Sequence, residues 1–263
     1  MGAGLQEKRE MDLQGELARY PNTGRFLAGR LRHDMSEEEK QQLESLVGDT
    51  RQAEDGERII ARGGQCEHST ILIEGFMLRT LETEGRRYAV SFHVPGDFVD
   101  LHCFALKRLD HNIDCIGPAK IGRVPHQKIT QVMQENAHLA RLFWFSTLLD
   151  AAMHREWIMK LEQLTAPKRI AHVFAEVWRR LEMVGLGLAD GFSTPLRQTD
   201  LADMCGATPI HTNRAISELR KHELANFQRG EVRIPDRARL EEYARFTPDY
   251  LYGEGELSLR DGM

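Results

Sequence analysis

The 263-residue chain has no run of about 18 consecutive apolar residues, so no segment is long and apolar enough to cross a bilayer as a helix. Its opening stretch, MGAGLQEKREMDLQGELARYP, lacks the apolar centre of a signal peptide. Gln6 stands where a myristoylation signal wants Ser or Thr. Cysteine is scarce: Cys66, Cys103, Cys115 and Cys205 are scattered, with no Cys-x-x-Cys pair. This argues against a disulfide framework and fits free thiols in a reducing cytoplasm, the expected location. A surplus of positive charge is also missing. Forty acidic residues against 35 Lys and Arg leave a net charge of −5, which speaks against indiscriminate coating of nucleic acid. A locally basic face remains open, because screening makes phosphate contacts a local matter. With 41% hydrophobic and 29% charged residues, the chain has the material for a buried core. Its length allows one large domain or two ordinary ones.

Residues 54–125 read as short strands broken by glycines at 56, 63, 64, 75, 85, 96, 117 and 122. "STILIEG" and "FMLRTLETEG" are two β-rich runs, each closed by a glycine, and the spacing suggests an all-β sandwich or barrel. From about residue 126 the period changes. Almost forty residues follow with neither glycine nor proline, and one break is expected near Asn136. Leu142, Phe145, Leu149 and Ala152 recur at heptad-like spacing. Two readings fit: an amphipathic helix packed on the sheet, or the seam of a dimer. A further helix starts at Thr165 with Pro167 in its first turn. Ile170, Val173, Phe174, Val177, Trp178, Leu181 and Val184 form its apolar stripe, and "GLGLADG" ends it.

The stretch "GATPIHTNRAISELR", 206–220, has the chemistry of a turn followed by a helix. Gly206 tolerates the positive φ of a tight turn, Thr208 is a good N-cap and Pro209 a good first helical residue. Leu201, Cys205, Ala207, Thr212 and Ala215 then fall where two crossing helices need buried or small side chains, and Ala202 where they approach closely. Pro209, Ile210, Asn213 and Arg214 are left on the exposed N-terminal side, with Thr208 and His211 beside them. Next comes "LANFQRGEVRI", two short strands around Arg229-Gly230, so helix, turn, helix and ribbon make a winged module. Its second helix is the kind that meets base edges. Arg214 has two donors for guanine, Asn213 suits a base or a phosphate, and Arg229 and Arg233 suit neighbouring phosphates. Between 192 and 239 the chain carries eight Lys or Arg and six Asp or Glu, a mild positive excess within an acidic protein.

This order of β-domain, long helix and winged helix-turn-helix resembles the Crp/Fnr superfamily of bacterial transcription regulators. "STILIEGFMLRTLETEGRRYAVSFHVPGDFVD" is similar to the family's strand-glycine-strand run ending in Gly96-Asp97-Phe98, and "LRQTDLADMCGATPIHTNRAISELRKHELA" to its DNA-binding motif. The similarity covers roughly residues 30–240. It implies an α+β fold: an N-terminal segment (1–29), a β jelly-roll of the cyclic-nucleotide-binding type (30–135), a dimerisation helix (136–164), a winged helix-turn-helix (165–240) and a C-terminal tail (241–263). It further implies a transcription regulator, not an enzyme, that binds an inverted-repeat operator in double-stranded DNA as a homodimer, with RNA polymerase as a further partner. Arg214 occupies the family's guanine-reading position. Four residues earlier the family often has a glutamate that accepts from cytosine. Ile210 stands there instead, so that contact is lost, and a thymine methyl is the apolar alternative.

The family's effector sites match poorly. Cyclic-nucleotide binders place a glutamate after the Gly-Asp-Phe run and an Arg-Ser pair further on. Here the stretches read Val99-Asp100-Leu101-His102 and Leu109-Asp110-His111, and Asp110 would repel a cyclic phosphate. The iron–sulfur branch needs a cysteine cluster near the N-terminus, and no cysteine precedes Cys66. His102 lies near the axial histidine of a haem-binding branch, with His93, Cys103, His111 and Cys115 in its neighbourhood. His102 and Cys103 are thus candidates for a cofactor site, with structural roles as the alternative. No cofactor or metal is expected. Two other functions stay open: an interaction module that no longer binds DNA, and a cupin-like metal enzyme. The second lacks the His-x-His signature, since Pro95 stands two residues after His93.

Overall fold

The computed structural model describes residues 12–253. A helix over 12–19 (α1) and a chain of turns lead to α2 (Glu37–Leu46). A reciprocal cap starts α2: Glu39 N donates to Ser36 Oγ and Ser36 N to Glu39 Oε2. The β-domain follows as β1 (Asp49–Ala53), β2 (Arg58–Ile60), β3 (His68–Thr83), β4 (Arg86–His93), the short helix α3 (Cys103–Leu106) and β5 (Asn112–Pro125). The sheet runs in the order β1-β5-β3-β4, with β2 also on β5. β5 pairs antiparallel with β1 from Asp49↔Arg123 to Ala53↔Ala119. Leu72, Met77, Val99, Leu109, Ile113 and Ile121 fill the core beneath it.

The strands are fewer and longer than the glycine spacing suggests. The two runs expected to end at Gly75 and Gly85 form a single 16-residue β3 that passes through Gly75. Gly75 (φ +86°) allows close approach: a Cβ there would lie 2.4 Å from the Pro118 carbonyl oxygen of β5. β5 likewise passes through Gly117 and Gly122. Gly85 does end its strand. With Glu84 it makes the two-residue turn, both at positive φ, that joins β3 to β4.

Helices α4 (His126–Glu135), α5 (Ala137–Gln163) and α6 (Ala166–Met183) follow, with the expected break at Asn136. Leu142, Phe145, Leu149 and Ala152 do not form an outward seam; all four are already buried within the single chain. The outward face of α5 is instead Trp144 (64% exposed), Leu148 (51%) and Ile158 (65%). Apolar residues lie on more than one face of this helix, so periodicity alone does not tell which face meets the chain's own core. The expected stripe of α6 is buried throughout.

Contacts divide the described residues into two compact units: one up to Met77 together with His93–Leu148, the other Leu78–Phe92 with Leu149–Tyr252. The boundary thus falls inside α5, and the outer part of the β3–β4 hairpin groups with the C-terminal half. In the second unit, α6 is followed by β6 (Gly191–Ser193), α7 (Gln198–Met204), α8 (Pro209–Lys221), β7 (Asn226–Gln228), β8 (Glu231–Arg233) and α9 (Arg237–Ala244). The wing is a three-stranded antiparallel sheet, β6-β8-β7, whose strand β6 was not expected. Phe192, Val232 and Phe227 align across it, and both phenylalanine rings pack on Phe174 of α6 at centroid distances of 6.1 and 5.9 Å. α9 runs past residue 240, and the tail continues along the same unit. Phe246 packs edge-on against His172, and Tyr250 Oη donates to Glu176 Oε2 at 2.7 Å. The last stretch of the tail, 254–263, lies outside the described residues.

Candidate nucleic-acid interface

The local chemistry of 206–214 works as its residue types suggest. Gly206 turns at φ +58° between α7 and α8. Thr208 is extended (φ −83°, ψ 157°), and its Oγ accepts from His211 N at 3.3 Å, which satisfies one of the free amides of the first turn of α8. Pro209 takes the first helical position, where no amide hydrogen is needed. Thr212, Ala215, Ile216 and Leu219 are buried and fix the rotation of the helix. That rotation leaves Thr208, Pro209, Ile210, His211, Asn213 and Arg214 exposed together.

At the wing tip, Arg229 (φ +51°) and Gly230 (φ +83°) make the tight turn between β7 and β8. A Cβ on Gly230 would lie within 1.8 Å of the Thr194 carbonyl oxygen, so the tip is held against the end of β6. Arg229 projects into solvent. Neither Arg214 nor Arg229 has an ion-pair partner among the described residues. Between the wing, the start of α7 and the end of α8 lies an open cleft of about 580 Å³. Arg197, Gln198, Arg220, Gln228 and Arg229 line it, with Phe227. The sequence reading missed the first four of these. Arg220 had a legible signal, since it lies two turns after Asn213 on the same helical face.

Arg233 differs from Arg229. Its Nη1 donates to both carboxylate oxygens of Asp190, at 2.6 and 2.8 Å, and its Nε to Glu231 Oε1 at 2.7 Å. Those hydrogen bonds hold the guanidinium further above its ordinary range and the Asp190 carboxyl below its own. The two carboxylates already satisfy the charge that the sequence reading had set against a DNA phosphate. α7 is tethered in a similar way: Arg87 of β4 forks onto Asp200 and Asp203.

His102 and Cys103, the cofactor candidates, point in different directions. His102 sits half-exposed at the start of α3, its ring 5.3 Å from that of His111, which in turn approaches the exposed Asp110 carboxylate at 2.7 Å. Cys103 is fully buried, its Sγ 3.6 Å from both His126 Nε2 and the His68 carbonyl oxygen. Burial and the nearby Asp100 push its thiol well above the ordinary range. Among the described residues, no three His, Cys, Asp or Glu side chains are placed to hold a metal ion. The Asp110 carboxyl is held low by the hydrogen bond from His111, which keeps a negative charge beside the His102–His111 pair.

Residues 168–243 match the model of the Crp-like helix-turn-helix domain. The chain is similar to the nitrogen fixation regulation protein FixK of Bradyrhizobium diazoefficiens, 26% identical over 174 residues, covering 66% of this chain and 72% of that one. It is also similar to the transcriptional activator protein FnrL of Cereibacter sphaeroides, 27% identical over 197 residues, 72% of this chain and 77% of that one. The solved structure of FixK2 from Bradyrhizobium japonicum shares the fold, with a TM-score of 0.67 at 22% identity over 75% of this chain and 98% of that one. With a Crp-like helix-turn-helix that follows an antiparallel β-domain in sequence, the chain is a DNA-binding transcription regulator similar to the Crp/Fnr-type proteins FixK and FnrL.

Proposed function

We propose that this regulator reads an inverted-repeat operator as a homodimer, with the N-terminal turns of α8 in the major groove. The observation that carries this reading is the exposed turn from Thr208 to Arg214, whose only arginine has no ion-pair partner among the described residues. Arg214 reads a guanine through its two-pronged donor set, Asn213 bonds a base or phosphate, and Thr208 and His211 lie against the backbone. Arg229 and the cleft residues Arg197 and Arg220 hold the flanking phosphates. Arg233, held by two carboxylates, contributes little.

The dimer forms through the outward face of α5. Trp144, Leu148, Ala151, Arg155, Ile158 and Glu162 alternate at spacings of four and three, the seam geometry of paired helices, and its three large apolar members are exposed in the single chain. Two-fold symmetry then sets half-sites about 34–36 Å apart. RNA polymerase is the further partner that such a regulator engages, in the cytoplasm.

Selection of binding sites from random duplexes with the wild type and Arg214→Ala tests the reading. The expected result is an inverted repeat whose guanine preference relaxes at one base pair per half-site in the variant, at a cost of about 1–3 kcal/mol. Recovery of the same motif at the same stringency by both proteins would refute the base-reading role.

A further inference from the structure

Ile210 is 67% exposed, the highest exposure among the large apolar side chains of the described residues. It does not serve the fold: Thr212, Ala215, Ile216 and Leu219 are the side chains of α8 that face inward. It sits in the first turn, next to Pro209, so the leading edge of the helix is an apolar ridge set among the polar side chains of His211, Asn213 and Arg214. An isoleucine has no acceptor for the amino group of cytosine or adenine and no donor for guanine. In the major groove the one apolar feature on a base edge is the C5-methyl of thymine.

We propose that Ile210 is a specificity-determining residue that packs on a thymine methyl in each half-site. The inference rests on the placement of α8 in the major groove proposed above. Ile210 and Arg214 lie four residues apart on one helical face, about 6 Å along the axis at 1.5 Å per residue. Stacked bases are spaced about 3.4 Å apart, so the thymine lies within about two base pairs of the guanine read by Arg214. Selectivity arises twice. A thymine buries its methyl against the isoleucine, while a cytosine presents an amino group that must give up water without a partner.

Uracil differs from thymine by that methyl alone, which makes the test specific. Duplexes carrying the selected operator, with each thymine replaced in turn by deoxyuridine, are titrated against the full chain at fixed salt. One thymine position is expected to weaken binding roughly fourfold per half-site, the factor that corresponds to burying one methyl-sized group. In Ile210→Ala that sensitivity disappears, in Arg214→Ala it persists, and in Ile210→Val it is intermediate. A 5-methylcytosine at the same position should bind better than cytosine in the wild type and no better in Ile210→Ala. Specific binding that is indifferent to every uracil, or a uracil effect that survives in Ile210→Ala, would overturn this inference alone. Absence of any specifically bound duplex would overturn it together with the proposed base-reading role of α8.

Discussion

Replacing Lys160 by methionine should stabilise the protein, and by an amount that depends on pH in a calculable way. Lys160 lies near the end of α5 and is fully buried. Its Nζ stands 3.7 Å from the centre of the Trp157 ring and has no hydrogen-bond partner among the described residues. Burial pushes the ammonium below its ordinary range of 10.5; Cys205 and Glu176 act the other way, and Arg169 adds to the lowering. The folded chain therefore holds that proton less tightly than the unfolded chain, and stability rises with pH between the lowered folded value and the ordinary one. Each pH unit over which only the unfolded chain holds the proton costs about 1.4 kcal/mol of stability. Methionine keeps most of the buried stem and carries no proton, so it recovers that cost less any packing mismatch.

Urea unfolding of the wild type and Lys160→Met, run in parallel at pH 7, 8 and 9 and one protomer concentration, measures the difference. The variant should lead at pH 7, and its lead should shrink by up to about 1.4 kcal/mol per pH unit. The folded Cys205 thiol, pushed up to about 11 by burial, stays protonated across this window, and its titration in the unfolded chain is common to both proteins. His172, lowered chiefly by its own burial, titrates below it. A lead that is the same at all three pH values would refute the loss of the Lys160 proton on folding in this window. A less stable variant would show instead that a charged ammonium is held by the Trp157 ring and Glu176.

Leu148→Lys places a charge in the proposed seam and should convert the dimer to a monomer in light scattering, whereas an unchanged mass would move the interface elsewhere. Arg229→Ala should weaken binding to all duplexes alike and shallow the salt dependence by about one phosphate's worth. Arg233→Ala should change that slope little, because Asp190 and Glu231 already answer its charge; equal slopes for the two variants would contradict the assignment. Tyr250→Phe removes one donor to the buried Glu176 carboxylate and should cost about 1.5–3 kcal/mol in urea unfolding, as a bond to a charged group does; no loss would mean that the tail is not held there.

What the sequence made legible was local. Thr208, Pro209 and Gly206 announce α8 because capping and turn chemistry act within a few residues, and Arg229-Gly230 announces the wing for the same reason. The α6 stripe was readable because its period is clean. The buried face of α5 was not, since Leu142 and Trp144 differ in what covers them rather than in character. β6 was missed because three residues carry no period. Gly75 misled because the same residue type that ends a strand also permits the close approach of a neighbour. Arg229 and Arg233 looked alike because the partner that separates them, Asp190, lies 43 residues before Arg233.

The weak excess of eight basic over six acidic residues between 192 and 239 understates the field that DNA would meet. Several of those carboxylates are already paired or hydrogen-bonded. Asp200 and Asp203 hold Arg87, Glu231 holds Arg233, Asp236 caps α9 by accepting from Arg239 N, and Glu218 accepts from Tyr243 Oη. Arg233 and Arg237 are answered in turn by Asp190, Glu182 and Glu241. Arg214 and Arg229 are left without ion-pair partners among the described residues, and Arg220 donates to the neutral Asn226, so their charges face solvent on the α8 and wing side. The charge count of a segment therefore does not measure what its exposed arginines present. At physiological salt the field of the remaining surface is screened within about 8 Å, so contact at that face, and not net charge, decides binding.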